Sequence, residues 1–512
     1  MEFDKTVIVS NRLPIVLQKT ASGWEVHAGS GGLVQAVAPI LKEHGGLWVG
    51  WPGIAGEEEA EGWRAVAQEA VAKTGYELSP VPLSEEEVDL FYLGFSNAVL
   101  WPLFHDFLDR CDFDPAYWRT YSRVNAKFAQ AVLASSGPRD FLWIQDYQLI
   151  QVGQFVREKR PRQRIGFFLH TPFPPLDIFV KLPWRAAILR ALAAYDVLGF
   201  QTYRDRRNFV TCVRELLPEV AVRGRGSVVK AAVDGREISM ASFPVGIDFK
   251  GFAEAAASDD IEERMAELRE QIGDTALILG VDRQDYTKGI PQRLKAYRSL
   301  LERYPELREK VIFFQISVPS REGVAEYQDL KVEIERLVGE INGRFATVGW
   351  VPVHYYYRSV PKRTLVALYR MAEVALVTPL KDGMNLVAKE YCACQVEGKG
   401  TLVLSEFAGA AAQLEGGALL VNPYDVEGVA DAVRRALEMP LAERRERMER
   451  VRRRLRRQDV FWWADRYLAA VFGRSLKSFR GEREYLPHIR LDLGGDDDGE
   501  RISLGSAASR RR

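Results

Sequence analysis

The stretch T-P-L-K-D-G-M-N-L-V-A-K-E-Y, Thr378 to Tyr391, runs from a strand end through a loop into a helix start. Upstream, Val374 to Val377 is a short apolar run. Pro379 and Gly383 then interrupt regular structure, and from Asn385 a helical pattern resumes with Leu386, Val387 and Tyr391 as its apolar residues. A loop that leaves the carboxyl end of a buried strand and opens a helix is where open α/β sheets bind ligands, because the first N–H groups of the helix have no internal partner. Such donors suit a diphosphate. Glu390 lies four residues beyond Leu386 on the same helix face and suits ribose hydroxyls, while Asp382 in the loop suits sugar hydroxyls. The same letters also read as an ordinary loop with an exposed aspartate and a solvated glutamate, so the rest of the chain has to decide.

Working outward, short apolar runs followed by turn residues recur at Thr6 to Val9, Phe141 to Ile144, Ile165 to Leu169, Val197 to Phe200, Ala276 to Gly280, Val311 to Ile316, Thr401 to Leu404 and Ala418 to Val421. Helical patterns lie between most of them, which predicts parallel sheets covered on both faces. A chain of 512 residues exceeds one hydrophobic core, so two domains of roughly 200 to 250 residues are expected. The segment F-P-V-G-I-D-F, Phe243 to Phe249, follows an antiparallel-looking stretch from Val228 to Met240 and precedes a charged helix beginning near Asp259. It is the expected hinge. This gives an α/β chain with a first domain at 1–245, a second at 246–458, a last helix within 459–485 packing back on the first domain, and a disordered tail at 491–512. Phe461, Trp462 and Trp463 are expected to dock that helix.

Seventy basic and seventy acidic residues balance to zero, which argues against a general polyanion binder. Arg444 to Arg457 is basic, but Glu443, Glu446 and Glu449 interrupt it, favouring a solvated helix face over a nucleic-acid patch. Four cysteines, Cys111, Cys212, Cys392 and Cys394, are too few for a disulfide framework and are expected reduced. The opening M-E-F-D-K-T-V-I-V-S enters a strand directly, and no apolar run approaches the ~20 residues that span a bilayer. The expected location is the cytoplasm, with neither a membrane nor a nucleic-acid partner.

The segment G-V-D-R-Q-D-Y-T-K-G, Gly280 to Gly289, puts Arg283 and Lys288 in the loop after a strand. Two fixed cations there can hold a diphosphate leaving group without metal, stabilising charge that grows in the transition state. Ser10 to Arg12 follows the first strand, and S-G-G-L at Ser30 to Leu33 offers Gly31 and Gly32 for close backbone approach to a phosphate. No G-x-G-x-x-G is present, against an oxidoreductase. His170 in H-T-P-F-P stands at a strand's carboxyl end as a candidate ligand contact. Asp112 and Asp114 in D-F-D have the form of a metal pair but sit in a polar stretch between aromatics, so they read as a surface loop. No metal or cofactor is expected.

Together these residues resemble the trehalose-6-phosphate synthases, retaining glycosyltransferases of two Rossmann-like domains facing a cleft, the GT-B fold. The likeness is collinear from about Val7 to Tyr467, through S-N-R-L-P, G-G-L-W-V-G-W, F-S-N-A-V-L-W-P-L-F-H, R-I-G-F-F-L-H-T-P-F-P, D-Y-T-K-G, S-R-E-G, D-G-M-N-L-V-A-K-E-Y and L-S-E-F-A-G-A. The resemblance implies transfer of glucose from UDP-glucose, or another nucleotide-glucose, to glucose 6-phosphate. The donor would meet Gly31, Gly32, Arg283, Lys288, Val360, Asp382, Leu386, Val387, Ala388, Lys389 and Glu390. The acceptor would meet Arg12, Trp51, Tyr92, Asp146 and Arg321, with Trp101 and Thr171 setting anomer selectivity. Asp382 and His170 would orient the transferred sugar during a front-face displacement. One departure stands out. Where the family commonly has H-D-Y-H-L, this chain has Q-D-Y-Q-L, with Gln145 and Gln148 around Asp146. L-P-W-R at Leu182 to Arg185 resembles the related glucosylglycerol-phosphate synthases, so glycerol 3-phosphate is the alternative acceptor. A catalytically silent sugar-phosphate sensor is the alternative class. A homo-oligomer and a separate downstream phosphatase complete the expectations.

Overall fold

The computed structural model describes residues 3–21, 23–29, 34, 37–38, 41–42, 45–224, 226–321, 324–473 and 485. Gly31, Gly32 and the tail 491–512 lie outside the described residues. In chain order the strands are β1 (Thr6–Arg12), β2 (Ile15–Thr20), β3 (Gly23–Ala28), β4 (Leu47–Trp51), β5 (Glu77–Pro80), β6 (Phe141–Gln145), β7 (Arg164–Leu169), β8 (Val197–Phe200), β9 (Ala221–Arg223), β10 (Val228–Val233) and β11 (Arg236–Ser242). They continue with β12 (Ala276–Arg283), β13 (Val311–Val318), β14 (Val353–Tyr356), β15 (Val374–Val377), β16 (Thr401–Ser405) and β17 (Leu419–Val421).

Two open sheets result. The first runs β5-β4-β1-β6-β7-β8-β11-β10-β9, parallel except for the β9-β10-β11 edge, and the second runs β14-β13-β12-β15-β16-β17, parallel throughout. Central strands are buried along their whole length, as β6 (Phe-Leu-Trp-Ile-Gln) and β15 (Val-Ala-Leu-Val) show. That is what apolar runs covered on both faces produce. In each sheet the order reverses beside β1 or β12, and the strand ends there form the crevice that open α/β sheets offer a ligand.

Several strands depart from the sequence expectation. β12 extends three residues beyond Gly280, because its ladder with β13 continues to the pair Arg283 and Val318. Arg283 therefore sits on a strand end instead of in a loop. β1 likewise continues through Ser10 and Asn11 to Arg12, with a register shift between Val9 and Arg12 that re-aims the last residue. The helix expected near Asp259 is preceded by another, Phe249–Ala256. Residues Val88–Leu100 form a π-helix, where the Trp101 N–H reaches back to the Ser96 carbonyl. Helices of that kind cluster at functional sites.

The chain passes from the first sheet to the second through Val245 to Ile247 and comes back at Asp459 to Val460. The Val460 N–H donates to the Ile247 carbonyl at 3.0 Å. A Cβ on Gly246 would collide with the Asp459 carbonyl group, so glycine lets the two crossings lie against each other. The returning chain opens the helix Val460–Val471, where Trp463 and Tyr467 stack on Trp143 of β6 with centroids 5.2 and 4.6 Å apart. Of the three expected anchors only Trp463 is fully buried. Phe461 is 39 % exposed, because one helical turn cannot turn three consecutive rings to the same face. On the preceding helix, Leu441–Arg457, the acidic residues pair at i,i+4 with Arg447, Arg450 and Arg453.

Candidate active site

Guanidiniums and aromatic rings from both sheets meet at the crevice. Arg12 is exposed at the end of β1, 4.3 Å from the Trp51 ring centroid and 5.8 Å from that of Tyr92. Trp51 and Tyr92 meet edge-on at 5.8 Å. From the second sheet, Arg321 and Arg283 lie over Trp101 at 4.5 and 5.8 Å. Arg321, held at a left-handed φ of 51°, donates to the hydroxyls of Tyr327 and Tyr147 and lies 3.5 Å from Asp285. Burial would raise the Tyr92 phenol, but Arg321, Arg12 and Arg283 outweigh it and lower the phenol below its usual range. Three cations around one phenol make a site of strong positive potential, suited to a phosphate. Asp285 counters part of that charge. Burial works against its ionisation, yet Arg321, Lys288 and Arg283 hold it at about 2.

The opening motif lies beside this cluster. Lys288 Nζ donates to Asp382 Oδ2 at 2.6 Å, both side chains being almost buried, and Asn385 Nδ2 donates to the same oxygen at 3.2 Å. Burial raises the Asp382 carboxyl, and Lys288 more than reverses this, so the group stays ionised. Beneath the pair, buried Arg293 ties Asp282, Gln315, the Thr378 hydroxyl and the Lys288 carbonyl together, which fixes both loops. Asn385, with φ 78°, accepts the Ala388 N–H at 3.0 Å and caps the helix Leu386–Cys394. The Ala388 amide, expected for the donor, is thereby taken. Lys389, expected to offer its backbone amide, has a fully buried side chain that donates to the Val245 carbonyl at 2.7 Å and to Gln413. Glu390 is 7 % exposed and accepts from the Tyr369 hydroxyl at 3.0 Å. Leu386, Val387 and Val360 are half-buried nearby in sequence or at the Pro361-capped helix start.

The ends of β6 and β7 supply the remaining groups. Asp146 adopts φ 71° and accepts the His170 N–H at 3.1 Å. The His170 ring is fully engaged: Nε2 meets Gln145 Oε1 at 2.9 Å and Nδ1 meets Gln201 Nε2 at 3.1 Å. The free ring nitrogen expected from sequence is therefore absent, since glutamines on neighbouring strand ends take both positions. Burial pushes the imidazole down to about 3, so it is neutral. Among the described residues, Asn97 Nδ2, Trp101 Nε1, Gln145 Nε2 and Thr171 Oγ1 are buried without a hydrogen-bond partner. Buried polar atoms are normally satisfied, so each of these donors is open to a polar ligand that reaches it.

The two sheets touch at Gly383, where a Cβ would collide with the His170 carbonyl oxygen. Gly383→Ala should force the Asp382 loop away from the β7 end and lower kcat by about a hundredfold, as ångström misplacements do. The melting temperature should fall as well, because backbone has to give way to the new Cβ; an unchanged kcat would show that this approach is unimportant.

Sequence reasoning passed over Asp285, Tyr147, Tyr327 and Gln201. Asp285 had a visible signal, since D-Y-T is an Asx turn in which its carboxylate accepts the Thr287 N–H at 3.0 Å. The others act through tertiary contacts alone. Asp112 and Asp114, set aside as a metal pair, bond Tyr117 and cap the helix Pro115–Ser135 respectively.

Residues 4–471 match the family described as glycosyltransferase family 20. The chain is 43 % identical over 471 residues to the trehalose-6-phosphate synthase of Mycobacterium avium (strain 104), covering 91 % of this chain and 94 % of that protein. It is similar to the structure of an α,α-trehalose-phosphate synthase (UDP-forming) from Burkholderia xenovorans in complex with glucose-6-phosphate, with TM-score 0.82 and 36 % identity over 92 % of this chain and 100 % of that one. It is also similar to an E. coli structure bound with UDP-2-fluoro glucose, with TM-score 0.81 and 37 % identity over 91 % and 99 % of the two chains. Two parallel sheets meeting at a cationic cleft, and a family match along nearly all the described residues, lead to one conclusion: the chain has the GT-B fold and belongs to glycosyltransferase family 20.

Proposed function

We propose that the chain transfers glucose from UDP-glucose to glucose 6-phosphate with retention, releasing trehalose 6-phosphate and UDP. The observation that carries this reading is the convergence of Arg12 from the first sheet with Arg321 and Arg283 from the second around Tyr92, beside the Lys288–Asp382 pair of the second sheet. One anion site borders the first sheet and a second borders the second sheet, as two phosphorylated substrates require. Arg12 and Arg321 take the acceptor phosphate, and Tyr92 and Trp51 wall it. Asp146 accepts acceptor hydroxyls. Arg283, Lys288 and the free amides at Leu386 and Val387 meet the diphosphate, Glu390 meets the ribose and Val360 borders the base. The unpartnered donors at Asn97, Trp101, Gln145 and Thr171 match a ligand rich in hydroxyls.

Retention follows from a front-face displacement, in which a donor phosphate oxygen receives the acceptor proton while the new bond forms on the face the leaving group quits. Asp382 faces the developing positive charge. His170, being neutral, adds no opposing charge.

The test is UDP release with UDP-glucose and either glucose 6-phosphate or glycerol 3-phosphate, with the product's anomeric configuration read by NMR. Release with glucose 6-phosphate and an α,α linkage is expected. Release only with glycerol 3-phosphate would overturn the acceptor, and release with neither would overturn the reaction.

A pH dependence follows. Burial pushes the Asp146 carboxyl up to about 6, with the Tyr147, His170 and Thr171 amides and Arg283 limiting the rise. Glu390 reaches about 6 for the same reason, limited by Tyr369. Protonation removes their charge and turns one oxygen into a donor, which weakens their hold on hydroxyls, so both KM values should climb as pH falls below about 6. Asp146→Asn should raise acceptor KM about ten- to a hundredfold at neutral pH and erase the acceptor limb alone. Both folded values exceed the ordinary carboxylate range, so their effect on stability runs the other way: it favours the fold at low pH and is lost as pH rises through about 6.

A further inference from the structure

Gln201 and Lys389 are buried polar residues that the reaction scheme leaves without a task, and they grip the same residue. Gln201 Oε1 accepts the Val245 N–H at 3.0 Å, while Lys389 Nζ donates to the Val245 carbonyl at 2.7 Å. Val245 stands where the chain leaves the first sheet for the second. Lys389 also donates to Gln413, and Gln413 Nε2 donates to Gln458 Oε1 at 3.0 Å, next to the return crossing. The helix that starts there carries Trp463, whose ring lies 6.2 Å from that of His170. Both crossings are thus fastened to the helix Leu386–Cys394 on one side and to the His170 ring on the other.

The Val245 contact also settles the imidazole tautomer. With Oε1 of Gln201 committed to an N–H donor, its amide nitrogen must face His170, so Nδ1 is the acceptor and the proton sits on Nε2, which donates to Gln145 Oε1. We propose that Gln201 is a positioning residue that fixes His170 as the Nε2–H tautomer and fastens that ring to the chain crossing at Val245, which Lys389 of the donor-side helix holds from the opposite side. Two residues on different sheets thereby register the β7 end against the opening motif. This rests on the transfer reaction for its kinetic consequence, but the tautomer does not.

The groups packed on the ring are Phe168, Trp463, Gln145 and Gln201, none of them charged, and Asp146 reaches only the backbone amide. Gln201→Glu is close in shape and, once ionised, still accepts from Val245 but cannot donate to Nδ1. The proton must then move to Nδ1, and Gln145 can respond by turning its unpartnered amide nitrogen toward Nε2.

The experiment has two arms. Nitrogen-15 NMR of the imidazoles in the ligand-free full chain, with His170→Asn assigning the signal, should show Nε2–H in the parent and Nδ1 protonation in Gln201→Glu. The same variant should lose about ten- to a hundredfold in kcat while both KM values move less than about threefold. Second, Gln201→Met and Lys389→Met should each lower kcat, and the double variant should lose clearly less than the product of the two, as residues acting through one contact do. An unchanged tautomer in Gln201→Glu, or multiplicative losses in the pair, overturns the proposal. If Gln201→Met does not fold, Gln201→Glu combined with Lys389→Met replaces it, and there the losses should multiply because the Val245 contact survives. A parent chain that releases no UDP would sink the reaction instead, and the tautomer reading would still stand or fall by the NMR arm.

Discussion

Asp382→Asn should lower kcat by about a thousandfold while changing donor KM by less than about tenfold. Asparagine keeps the size of the side chain and can still accept from Lys288, so what disappears is the charge. In the parent that charge is secured against burial chiefly by Lys288, with a hydrogen bond from Asn385. A fixed carboxylate aimed at a centre that becomes positive only during bond breaking stabilises the transition state more than the bound substrate, which is why the loss should fall on kcat. The variant also breaks a nearly buried ion pair and leaves Lys288 only the fields of Asp285 and Asp282, and breaking such pairs costs about 3–5 kcal/mol of stability. Because the folded carboxyl lies below its ordinary range, the stabilisation it gives is present at neutral pH and fades as pH falls through that lowered value. Thermal unfolding at neutral and acid pH therefore reads the structural effect, and saturating turnover reads the chemical one. A kcat within about tenfold of the parent would remove Asp382 from the chemistry.

How much of this was legible in the sequence depends on the range of the contact. The strand, loop and helix of Thr378 to Tyr391 were readable because all three lie within one short segment, and the structure gives β15, the loop and the helix Leu386–Cys394 there. The pairing of Lys288 with Asp382 joins residues 94 positions apart, and no local pattern encodes it. Arg283 was placed in a loop because apolar residues stop at Val281, yet the ladder to β13 carries the polar pair on. His170 was expected to offer a ring nitrogen because its partners Gln145 and Gln201 are 25 and 31 residues away. The Q-D-Y-Q-L departure has a physical reading in this light. Gln145 belongs to the support of His170 as much as to the acceptor side, so a change of side chain there alters the ring's anchorage first. The inward reach of the Lys389 side chain to Val245 is equally hidden from local pattern, since it spans 144 positions.

Arg283→Ala should lower kcat by about a hundred- to a thousandfold while raising donor KM less than about tenfold. Its position separates it from Lys288. Lys288 is tied to Asp382 before any substrate arrives, whereas Arg283 is exposed at the end of β12 with its guanidinium 5.8 Å over Trp101. Its field already pulls down Tyr92 and Asp285 and limits the rise of Asp146, groups on both sides of the crevice, so it acts on both substrates. As the glycosidic bond breaks, charge accumulates on the diphosphate, and a cation held by strand geometry meets that charge without reorganising. Ground-state binding changes less, because the same diphosphate keeps Lys288 and the helix amides. Arg283→Lys should recover only part of the loss, since an ammonium lacks the flat fork that both stacks on Trp101 and bridges two oxygens. A second readout comes from Tyr92: with one of three guanidiniums gone, its phenol should titrate closer to its ordinary value in the alanine variant, measurable by ultraviolet titration against a Tyr92→Phe background. Equal turnover with only weakened donor binding would reduce Arg283 to a binding residue and shift the leaving-group role to Lys288.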